Sequence, residues 1–465
     1  MTHDVIVIGG GAAGLTAAGG LAMFGLRVAL CEPGPMGGEC LNTGCVPSKA
    51  LIAAAARAYA AKRPAMGVAL SPSVDWAGVR AHIDAAIATI APHDAPERFE
   101  AMGVEVIGSR ARFLDAKTLT AGNRELRAPR IVIATGSRPA VPPIEGLADT
   151  PYLTNETLFA LDRLPEHLVI LGGGAIGCEM AQAFRRLGAR VTVIEGGAAL
   201  AREDPEAASL VLGELRAEGV DLRTGVAATS VERVGAGVRV TLAGGEVVGG
   251  SHLLVATGRR ADLDTLDLDA AGVRHGKNGI EVDARRRTSR RHIFAIGDCR
   301  AGPRLTHVAG YEGSLVALQI ATGWPAKVDW RALPHVTYTD PELAQIGMTE
   351  AEARAAHPDV EVTREAFADN DRAVTEGDAR GFIKLVRRGG TVLGVTIVGA
   401  RAGELLLPWT QAITGKASSF ALGSAIVAYP TRSEIGKAAA FAAWQPRVFG
   451  PVPRRWAMLL ARLRR

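Results

Sequence analysis

The sequence predicts an α/β fold in which two similar strand–turn–helix units are followed by a separate α+β domain. Three observations lead to this prediction. A glycine-rich strand–helix junction occurs twice, as VIVIGGGAAG and as LVILGGGAIG. Each copy leads to a later apolar strand that ends in Ala-Thr-Gly, at residues 134–136 and 256–258. Beyond about residue 335, strand-like and helical pieces alternate without a third junction, which indicates a different architecture.

Length and composition restrict the possible classes of protein. A chain of 465 residues is too long for one ordinary domain. Its 48% hydrophobic and 22% charged residues are typical of a globular protein rather than a disordered one. Five cysteines are too few for a disulfide scaffold. No basic leader precedes the first strand, DVIVI, and no apolar run reaches the ~18 residues of a membrane span, so we expect a cytoplasmic protein.

Both junctions have Gly-x-Gly-x-x-Gly spacing, with Gly9, Gly11 and Gly14 in the first and Gly172, Gly174 and Gly177 in the second. The first glycine allows a tight turn, the second lets the backbone approach a pyrophosphate, and the third lets helix and strand pack closely. A strand ending in a glutamate follows each junction, at Glu32 and Glu195, both 18 residues past the third glycine. Such a carboxylate can accept hydrogen bonds from ribose hydroxyls. The sequence therefore predicts two Rossmann-like dinucleotide-binding domains.

Two of the cysteines, Cys40 and Cys45, lie close together in GGECLNTGCVPSK, before an Ala-rich helical stretch. Residues five apart on a regular helix point in different directions, so a bridge requires a distorted first turn, which Gly44 and Pro47 favour. A helix N-terminus lowers the pKa of a thiol and favours the thiolate. No second ligand pair has zinc-finger spacing. The pair is therefore predicted to be a redox-active disulfide rather than part of a metal site.

The string G-G-x-C-x-N-x-G-C-x-P-S-K resembles the active-site segment of the class I pyridine nucleotide–disulfide oxidoreductases. This family includes dihydrolipoamide dehydrogenase, glutathione reductase and mercuric reductase. The resemblance covers essentially the whole chain, from both glycine junctions through Gly297-Asp298 to TYTDPELAQIGMTEAEA, which is similar to the family's dimerisation domain. Val-Pro-Ser-Lys after the second cysteine is most similar to the dihydrolipoamide dehydrogenase and mercuric reductase branches.

The resemblance implies an FAD-dependent, NAD-linked enzyme that acts as a homodimer on a lipoyl-type or other disulfide or dithiol substrate. It implies that Cys45 lies against the flavin, that Cys40 exchanges with substrate, and that Lys49 lies near flavin N5, paired with Glu179. The implied FAD positions are Gly9, Gly11, Gly14, Glu32, Lys49, Thr135, Gly136 and Asp298, and the implied nicotinamide nucleotide positions are Gly172, Gly174, Gly177, Glu195 and Gly258. The expected domains are 1–149 with 272–334 for FAD, 150–271 for NAD, 335–446 for dimerisation, and a tail at 447–465.

Glu195 is the residue that indicates which nicotinamide nucleotide binds. A carboxylate accepts from a free 2′-hydroxyl and repels a 2′-phosphate. An NADPH site would need arginines just beyond this strand, but Arg202 follows seven residues later. The sequence therefore predicts NAD(H) rather than NADP(H).

One segment departs from the family pattern. Dihydrolipoamide dehydrogenases and glutathione reductases carry His-Pro-x-x-x-Glu near the C-terminus, where it reaches the partner subunit's active site and supplies a general acid/base. Here VAYPTRSE places Tyr429 at the histidine position and keeps Glu434, predicted to orient it. Tyrosine has an ordinary pKa near ~10 and is a poor base at neutral pH. Asn370-Asp371-Arg372, much earlier in the chain, is interpreted as a loop or interface feature.

Three functions remain open at this point. The first is a dihydrolipoamide dehydrogenase-like enzyme with a non-standard acid/base. The second is a mercuric reductase-like enzyme, since that branch uses tyrosine here, although the C-terminal cysteine pair of that branch is missing because the last cysteine is Cys299. The third is a flavoprotein redox sensor. The other three cysteines, Cys31, Cys178 and Cys299, are interpreted as packing residues.

The last 19 residues, RVFGPVPRRWAMLLARLRR, contain six arginines, and no acidic residue follows Glu434. Trp456, Leu459, Leu460 and Leu463 fall on one face of a short helix. The tail could pack on its own dimer, touch an anionic membrane surface or bind an acidic protein. Nucleic acid is not expected, because no recognition motif accompanies the charge.

Overall fold

The computed structural model describes residues 3–63 and 66–464. The chain divides into two compact units, each assembled from three segments. The first contains Met1–Ala54, Val74–Gly172 and Ala228–Val328, and the second contains Ala55–Ser73, Gly173–Ala227 and Asp329–Arg465. The predicted four-part division is finer than these two units and stays a prediction.

The α-helices of the described residues are, in chain order, α1 (Ala12–Met23), α2 (Gly38–Asn42), α3 (Cys45–Lys62), α4 (Trp76–Ile90), α5 (Pro96–Ala101), α6 (Asn155–Leu158), α7 (Ala175–Leu187), α8 (Pro205–Ala217), α9 (Leu268–Ala271), α10 (Thr306–Thr322), α11 (Glu350–Ala356), α12 (Asp371–Thr375), α13 (Leu407–Ile413), α14 (Ser419–Ser424), α15 (Glu434–Val448) and α16 (Pro451–Leu463).

The strands of the same residues are β1 (Val5–Ile8), β2 (Val28–Cys31), β3 (Val104–Ile107), β4 (Ala111–Phe113), β5 (Thr118–Ala121), β6 (Arg124–Arg127), β7 (Arg130–Ile133), β8 (Ser137–Pro139), β9 (His167–Leu171), β10 (Arg190–Glu195), β11 (Asp221–Thr224), β12 (Ala228–Val234), β13 (Gly237–Leu242), β14 (Val247–Gly250), β15 (His252–Val255), β16 (Arg259–Ala261), β17 (His275–Gly276), β18 (Gly279–Ile280), β19 (Ile293–Ala295), β20 (Pro334–Thr337), β21 (Glu342–Gly347), β22 (Glu361–Ala366), β23 (Phe382–Arg388) and β24 (Thr391–Gly399).

The first unit is built on a five-stranded parallel sheet in the order β19-β7-β1-β2-β3. All four residues of β1 and of β2 are buried, as expected for the central strands of a parallel sheet covered on both faces. Helix α1 makes the crossover from β1 to β2, and β1 pairs with β2 on one side and β7 on the other. Ligands of such sheets bind at the carboxyl ends of the strands, where the strand order reverses.

Helices α1 and α10 pack closely because small residues face each other along their contact. A Cβ atom added to Gly313 would lie 2.7 Å from the carbonyl oxygen of Ala13, and one added to Gly20 would lie 3.0 Å from the Ala317 side chain. Since α10 follows the loop that carries Asp298, this contact fixes that loop against the first glycine junction.

The second unit contains a five-stranded antiparallel sheet in the order β20-β21-β24-β23-β22. Its core includes Trp409 of α13, which is 2% exposed, and the inner face of α15, where Ala439 and Ala440 are fully buried. The same unit holds the parallel pair β10 and β11 together with α7 and α8. The antiparallel sheet contrasts with the parallel sheet of the first unit and matches the predicted C-terminal α+β domain.

The predicted fold class, α/β units followed by an α+β domain, is confirmed. Among the described residues, none of the helices is both long enough and apolar enough to cross a membrane.

The contact between α1 and α10 gives a first test. We expect Gly313→Ala to lower the free energy of unfolding by about 1–3 kcal/mol, because overpacking a close backbone contact strains the helices. Gly213 in α8 is a matched helical control, since it is exposed and its added Cβ would meet nothing within 4 Å. There, alanine should raise the free energy of unfolding by about 0.5–1 kcal/mol. Urea titrations of both variants measure the difference, and equal effects at the two positions would contradict this packing.

Candidate functional site

The first glycine junction has the geometry that its spacing predicts. Gly9 has a φ of +109°, and a Cβ there would lie 2.3 Å from the carbonyl oxygen of Ala134. A Cβ on Gly14 would lie 1.8 Å from the oxygen of Gly9. These approaches exclude any side chain at Gly9 or Gly14, and they bring the turn after β1 against the end of β7.

Glu32, the first residue after β2, fixes the outer side of this junction. Its Oε2 accepts a hydrogen bond from the Gly10 amide at 2.6 Å, and its Oε1 accepts one from the Gly34 amide at 2.8 Å. Gly11 is the N-cap of α1, and within the described residues no side chain caps this helix start. The amides of the first turn therefore face the space above the junction, as an anion-binding helix N-terminus requires.

Two further glycines place the cysteine segment directly on this junction. Gly37 and Gly38 have φ values of +89° and +58°, and the Gly37 amide donates to the carbonyl of Gly10 at 2.9 Å. A Cβ on Gly38 would lie 2.7 Å from the Cα atom of Gly11. Glycine is therefore required at both positions before the first cysteine. Both residues have a left-handed backbone conformation, and Gly38 also lies too close to the Gly11 backbone for a side chain.

Cys40 lies in α2, and Cys45 is the first residue of α3. Both are thiols in this structure; Cys40 is half-buried and Cys45 is exposed. A hydrogen bond with Cys45, burial and the nearby charge of Cys45 together raise the pKa of the Cys40 thiol. The expectation of a lowered thiol pKa is therefore wrong for Cys40. With both sulfurs present as free thiols, the structure contains the reduced, dithiol form of the predicted redox pair.

The break between α2 and α3 explains how two cysteines five residues apart can come close together. Asn42 donates from Nδ2 to the carbonyl of Gly38 at 2.7 Å and of Met36 at 3.2 Å, and this bracing ends α2. A Cβ on Gly44 would lie 2.9 Å from the backbone carbonyl oxygen of Glu39. Since Cys40 and Cys45 belong to different helices, the directions of one regular helix do not keep their side chains apart.

Thr306 is a neighbour of the pair that the sequence analysis did not predict. Its hydroxyl lies 3.3 Å from Cys45 Sγ. Thr306 is the first residue of α10, so the sulfur of Cys45 lies at the beginnings of two helices, where partial positive charge favours a thiolate. Its position in the sequence gave no signal of a contact with the cysteine pair.

A second group that the sequence analysis missed links the redox segment to Asp298. The guanidinium of Arg259 pairs with the carboxylate of Glu39, the residue before Cys40. Its Nε donates to Ser137 Oγ at 2.8 Å, and Ser137 Oγ donates in turn to Asp298 Oδ2 at 2.7 Å. Asn155 donates from Nδ2 to the other Glu39 oxygen at 2.8 Å. The only available sequence signal was the position of Arg259 directly after an Ala-Thr-Gly strand end.

Glu39 is an ionisable group beside the cysteines. Burial raises the pKa of this carboxyl to about 7, against the opposing effect of Arg259, and the charges of Asp298 and Cys45 raise it further. Its protonation therefore changes near neutral pH.

Other predicted cofactor positions lie at the ends of these strands. Thr135 donates from Oγ1 to the carbonyl of Asp262 at 2.7 Å, and Gly136 and Gly258 have φ values of +76° and +135°. Lys49 lies one turn into α3 and is half-buried. Glu179 in α7 is 6% exposed and accepts from the Tyr338 amide at 2.9 Å. The pairing of Lys49 with Glu179 stays a prediction.

The second junction repeats the geometry of the first. Gly172 has a φ of +111°, and a Cβ there would lie 2.5 Å from the oxygen of Ala256. Glu195, the last residue of β10, accepts from the Gly173 amide at 2.7 Å and from the Gly197 amide at 2.9 Å. Gly174 and Gly177 are two further predicted positions. Gly174 is the N-cap of α7, and Gly177 is buried within this helix.

The C-terminal segment forms a different arrangement from the expected one. The Tyr429 hydroxyl donates to Asp371 Oδ2 at 2.7 Å, and the Tyr429 side chain is 72% exposed. The hydrogen bond to Asp371 and its negative charge raise the pKa of the phenol. Glu434, expected to orient Tyr429, accepts from the Thr431 amide at 3.2 Å at the start of α15. Asp371, interpreted as a loop or interface residue, begins helix α12.

The remaining cysteines are buried, and burial raises the pKa of each of them to about 12: Cys31, Cys178 and Cys299. Over residues 3–63 and 66–464, no group of three or more His, Cys, Asp or Glu side chains is placed to hold a metal ion.

Comparison with known proteins identifies the class to which this fold and site belong. Residues 3–313 match the pyridine nucleotide-disulphide oxidoreductase family, and residues 333–440 match the dimerisation domain of that family. The chain belongs to the pyridine nucleotide-disulphide oxidoreductases. The dimerisation domain supports assembly as a homodimer.

Individual relatives show which enzymes of the family this chain is similar to. A mercuric reductase from Streptomyces lividans is 36% identical over 94% of this chain and 95% of its own length. A dihydrolipoyl dehydrogenase from Geobacillus stearothermophilus is also 36% identical, over 94% of this chain and 95% of its own length. The solved structure of the HOCl-induced flavoprotein disulfide reductase RclA from Escherichia coli, as a Cu(II) complex, superposes with a TM-score of 0.85 at 28% identity, covering 94% and 99% of the two chains.

The residues of the first unit fit the FAD that this family uses. The glycine turn admits no side chain at Gly9 or Gly14, the start of α1 offers backbone amides, and Glu32 stands at the strand end where a ribose is bound in such folds. The enzyme is therefore an FAD-dependent disulfide oxidoreductase that uses a nicotinamide nucleotide.

Arg259 gives a test of this site. We expect Arg259→Met to lower the free energy of unfolding by about 2 kcal/mol, because it leaves the Glu39 carboxylate without its cation and the Ser137 hydroxyl oxygen without its donor. FAD should be lost more readily on gel filtration, read from the ratio of flavin to protein absorbance.

Arg260 is the matched control for that variant. It is the next residue along β16 and pairs on the surface with Asp264 at 2.9 Å, half-exposed on both sides. Arg260→Met should retain FAD like the wild type. Equal FAD loss in the two variants would show that Arg259 does not hold the site together.

Proposed function

We propose that this enzyme is an NADH-linked reductase that passes two electrons through Cys40 and Cys45 to a lipoyl-type or other small disulfide or oxidised sulfur substrate. The observation that carries the proposal is the position of the dithiol pair directly on the first glycine junction. The same chemistry runs in the opposite direction when the substrate is a dithiol.

The sulfur chemistry follows from the positions of the two thiols. Cys40 Sγ gives up its proton and attacks one sulfur of the substrate disulfide, and the other substrate sulfur leaves and takes up that proton. Cys45 then attacks Cys40 Sγ, which releases the second substrate thiol and closes the Cys40–Cys45 disulfide. FAD, when bound, supplies the two-electron chemistry that connects a nicotinamide nucleotide to this pair. Lys49, one turn into α3, is the cation that we assign to the flavin.

Tyr429 is assigned the role of a neutral hydrogen-bond donor rather than a general base. The hydrogen bond to Asp371 and its negative charge raise the pKa of the phenol, so the hydroxyl keeps its proton at neutral pH. Asp371, rather than Glu434, is then the carboxylate that orients Tyr429. By the family's arrangement this segment serves the active site of the partner subunit.

A second function, reduction of Hg(II), is favoured by the similarity to mercuric reductases and by Tyr429. It is weakened because residues 300–465 contain no cysteine, whereas the mercuric reductase branch carries a C-terminal cysteine pair that hands over the metal.

A panel of electron acceptors decides between the two functions. We expect NADH oxidation by the purified FAD-loaded dimer to depend on lipoamide, glutathione disulfide or hypothiocyanite, and to exceed the rate with Hg(II). Cys40→Ser should abolish that turnover, while Cys178→Ser, which changes a buried cysteine, should not. Turnover with Hg(II) alone would select the second function, and full activity of Cys40→Ser would contradict both.

The assignment of Tyr429 gives a further prediction. We expect Tyr429→His to raise kcat for the oxidation of dihydrolipoamide about 10- to 100-fold, because it introduces a group that titrates near neutral pH and can remove a proton from a dithiol. Asp371→Asn should lower the pH at which the phenol ionises, seen as a shift of the alkaline limb of the pH–rate profile. Glu434→Gln serves as the comparison, and a larger shift from Glu434→Gln than from Asp371→Asn would reverse the assignment.

The preference for NADH rests on Glu195. Its carboxylate is held at the end of β10 by two backbone amides. It can therefore accept from a 2′-hydroxyl, and it would oppose a 2′-phosphate by charge. Arg202, seven residues further along the chain, is the neighbouring cation that an NADPH site could use.

We expect wild-type kcat/KM to be higher for NADH than for NADPH. Glu195→Ala should reduce the NADH/NADPH ratio of kcat/KM about 10- to 100-fold, since it removes a hydrogen bond to a charged group. Arg202→Ala should leave the ratio unchanged. Because both nucleotides are measured on one preparation, a folding defect cancels in the ratio. A wild-type preference for NADPH would overturn the proposal.

A further inference from the structure

The last helix of the described chain, α16, exposes an apolar stripe. Its residues Val452, Trp456 and Leu463 are 76%, 61% and 73% exposed, and Leu459 is 46% exposed. No residue of α16 is buried. The stripe follows positions i, i+4, i+7 and i+11, which is one face of a regular helix. An exposed patch of this kind, with a tryptophan near its centre, marks a surface that meets another apolar phase.

The charges of this helix all have one sign. Arg455 and Arg462 flank the apolar stripe on one side and Arg464 lies beyond it on the other, while Arg454 is on the opposite face. No acidic residue follows Glu434. A helix with an apolar stripe bordered by arginines is suited to the boundary between the headgroups and acyl chains of anionic lipids.

The family's shared assembly does not account for this helix. The match to the dimerisation domain ends at residue 440, and α16 begins at Pro451. A second copy of α16 packed on the first would bring two sets of arginines together with no acidic side chain to offset them. The helix has 13 residues and, like every other helix in residues 3–63 and 66–464, is not suited to spanning a membrane. An interfacial position fits both its length and its charge.

We propose that α16 is a peripheral anchor that binds the enzyme to an anionic membrane surface, with Val452, Trp456, Leu459 and Leu463 inserted among the lipids and the flanking arginines on the headgroups. This function lies beyond the redox chemistry and does not depend on the identity of the substrate. It places the enzyme at a lipid surface through an interfacial helix.

Sedimentation of the FAD-loaded full-length dimer with vesicles tests the anchor. We expect binding to vesicles of phosphatidylcholine with phosphatidylglycerol, weak binding to phosphatidylcholine alone, and loss of binding at high salt. Arg455→Gln with Arg462→Gln should weaken binding to the anionic vesicles about 25-fold, since each basic residue near such a surface contributes about fivefold. Trp456→Ser with Leu459→Ser should weaken it at least about tenfold.

The matched control is Ala457→Ser with Ala461→Ser, which introduces the same residue on the opposite face of α16 and should leave binding unchanged. All variants should retain NADH-dependent turnover. The proposal is overturned by three results: no binding of the wild type to anionic vesicles, equal loss in the control, or conversion of the Trp456/Leu459 variant to monomers in light scattering. The last result would show that a second copy covers the stripe.

Discussion

The site depends on the contact between two pairs of glycines. Gly37 and Gly38 pack on Gly10 and Gly11 so closely that a Cβ on Gly38 would come within 2.7 Å of the Gly11 backbone. The amide of Gly37 is also hydrogen-bonded to the carbonyl of Gly10. Because both partners in this contact are backbone, the distance between the nucleotide-binding turn and the cysteine segment does not vary with side-chain rotamers. The cysteine segment is therefore held directly beside the turn whose residues would hold FAD.

An ion pair and hydrogen bonds then stabilise the residues that these glycine contacts bring close together. Glu39 and Asp298 are both acidic and lie close enough for the charge of Asp298 to raise the pKa of Glu39. Arg259 lies between them, paired with Glu39 and linked to Asp298 through Ser137. Without that cation, two carboxylates would face each other beside a thiol pair that must itself carry negative charge. One guanidinium therefore offsets the negative charge of the carboxyl groups beside the thiol pair.

The sequence predicted those parts of the site that depend on local backbone geometry. Glycine spacing, the strand-end acids Glu32 and Glu195, and the departure from a regular helix between Cys40 and Cys45 are properties of short segments, so they leave short-range patterns. Arg259 and Asp371 could not be found in this way. Arg259 meets Glu39 from 220 residues away, and Asp371 meets Tyr429 from 58 residues away. Polar residues such as arginine and aspartate follow no periodic sequence pattern that would indicate a contact with a residue far away in the sequence.

The pair of Tyr429 and Asp371 shows how a contact between residues distant in the sequence changes the chemistry of the site. A histidine with a glutamate beside it becomes a better base, because the carboxylate stabilises the protonated imidazolium. A tyrosine beside an aspartate becomes a weaker acid, because the carboxylate opposes formation of the phenolate. The same kind of neighbour thus drives the two residues toward opposite roles. A dithiol substrate needs a group that removes a proton, whereas an oxidised sulfur substrate needs a donor for the thiolate that leaves. A phenol held in its neutral form supplies the second need and not the first, which favours reduction of an oxidised sulfur substrate over oxidation of a dithiol.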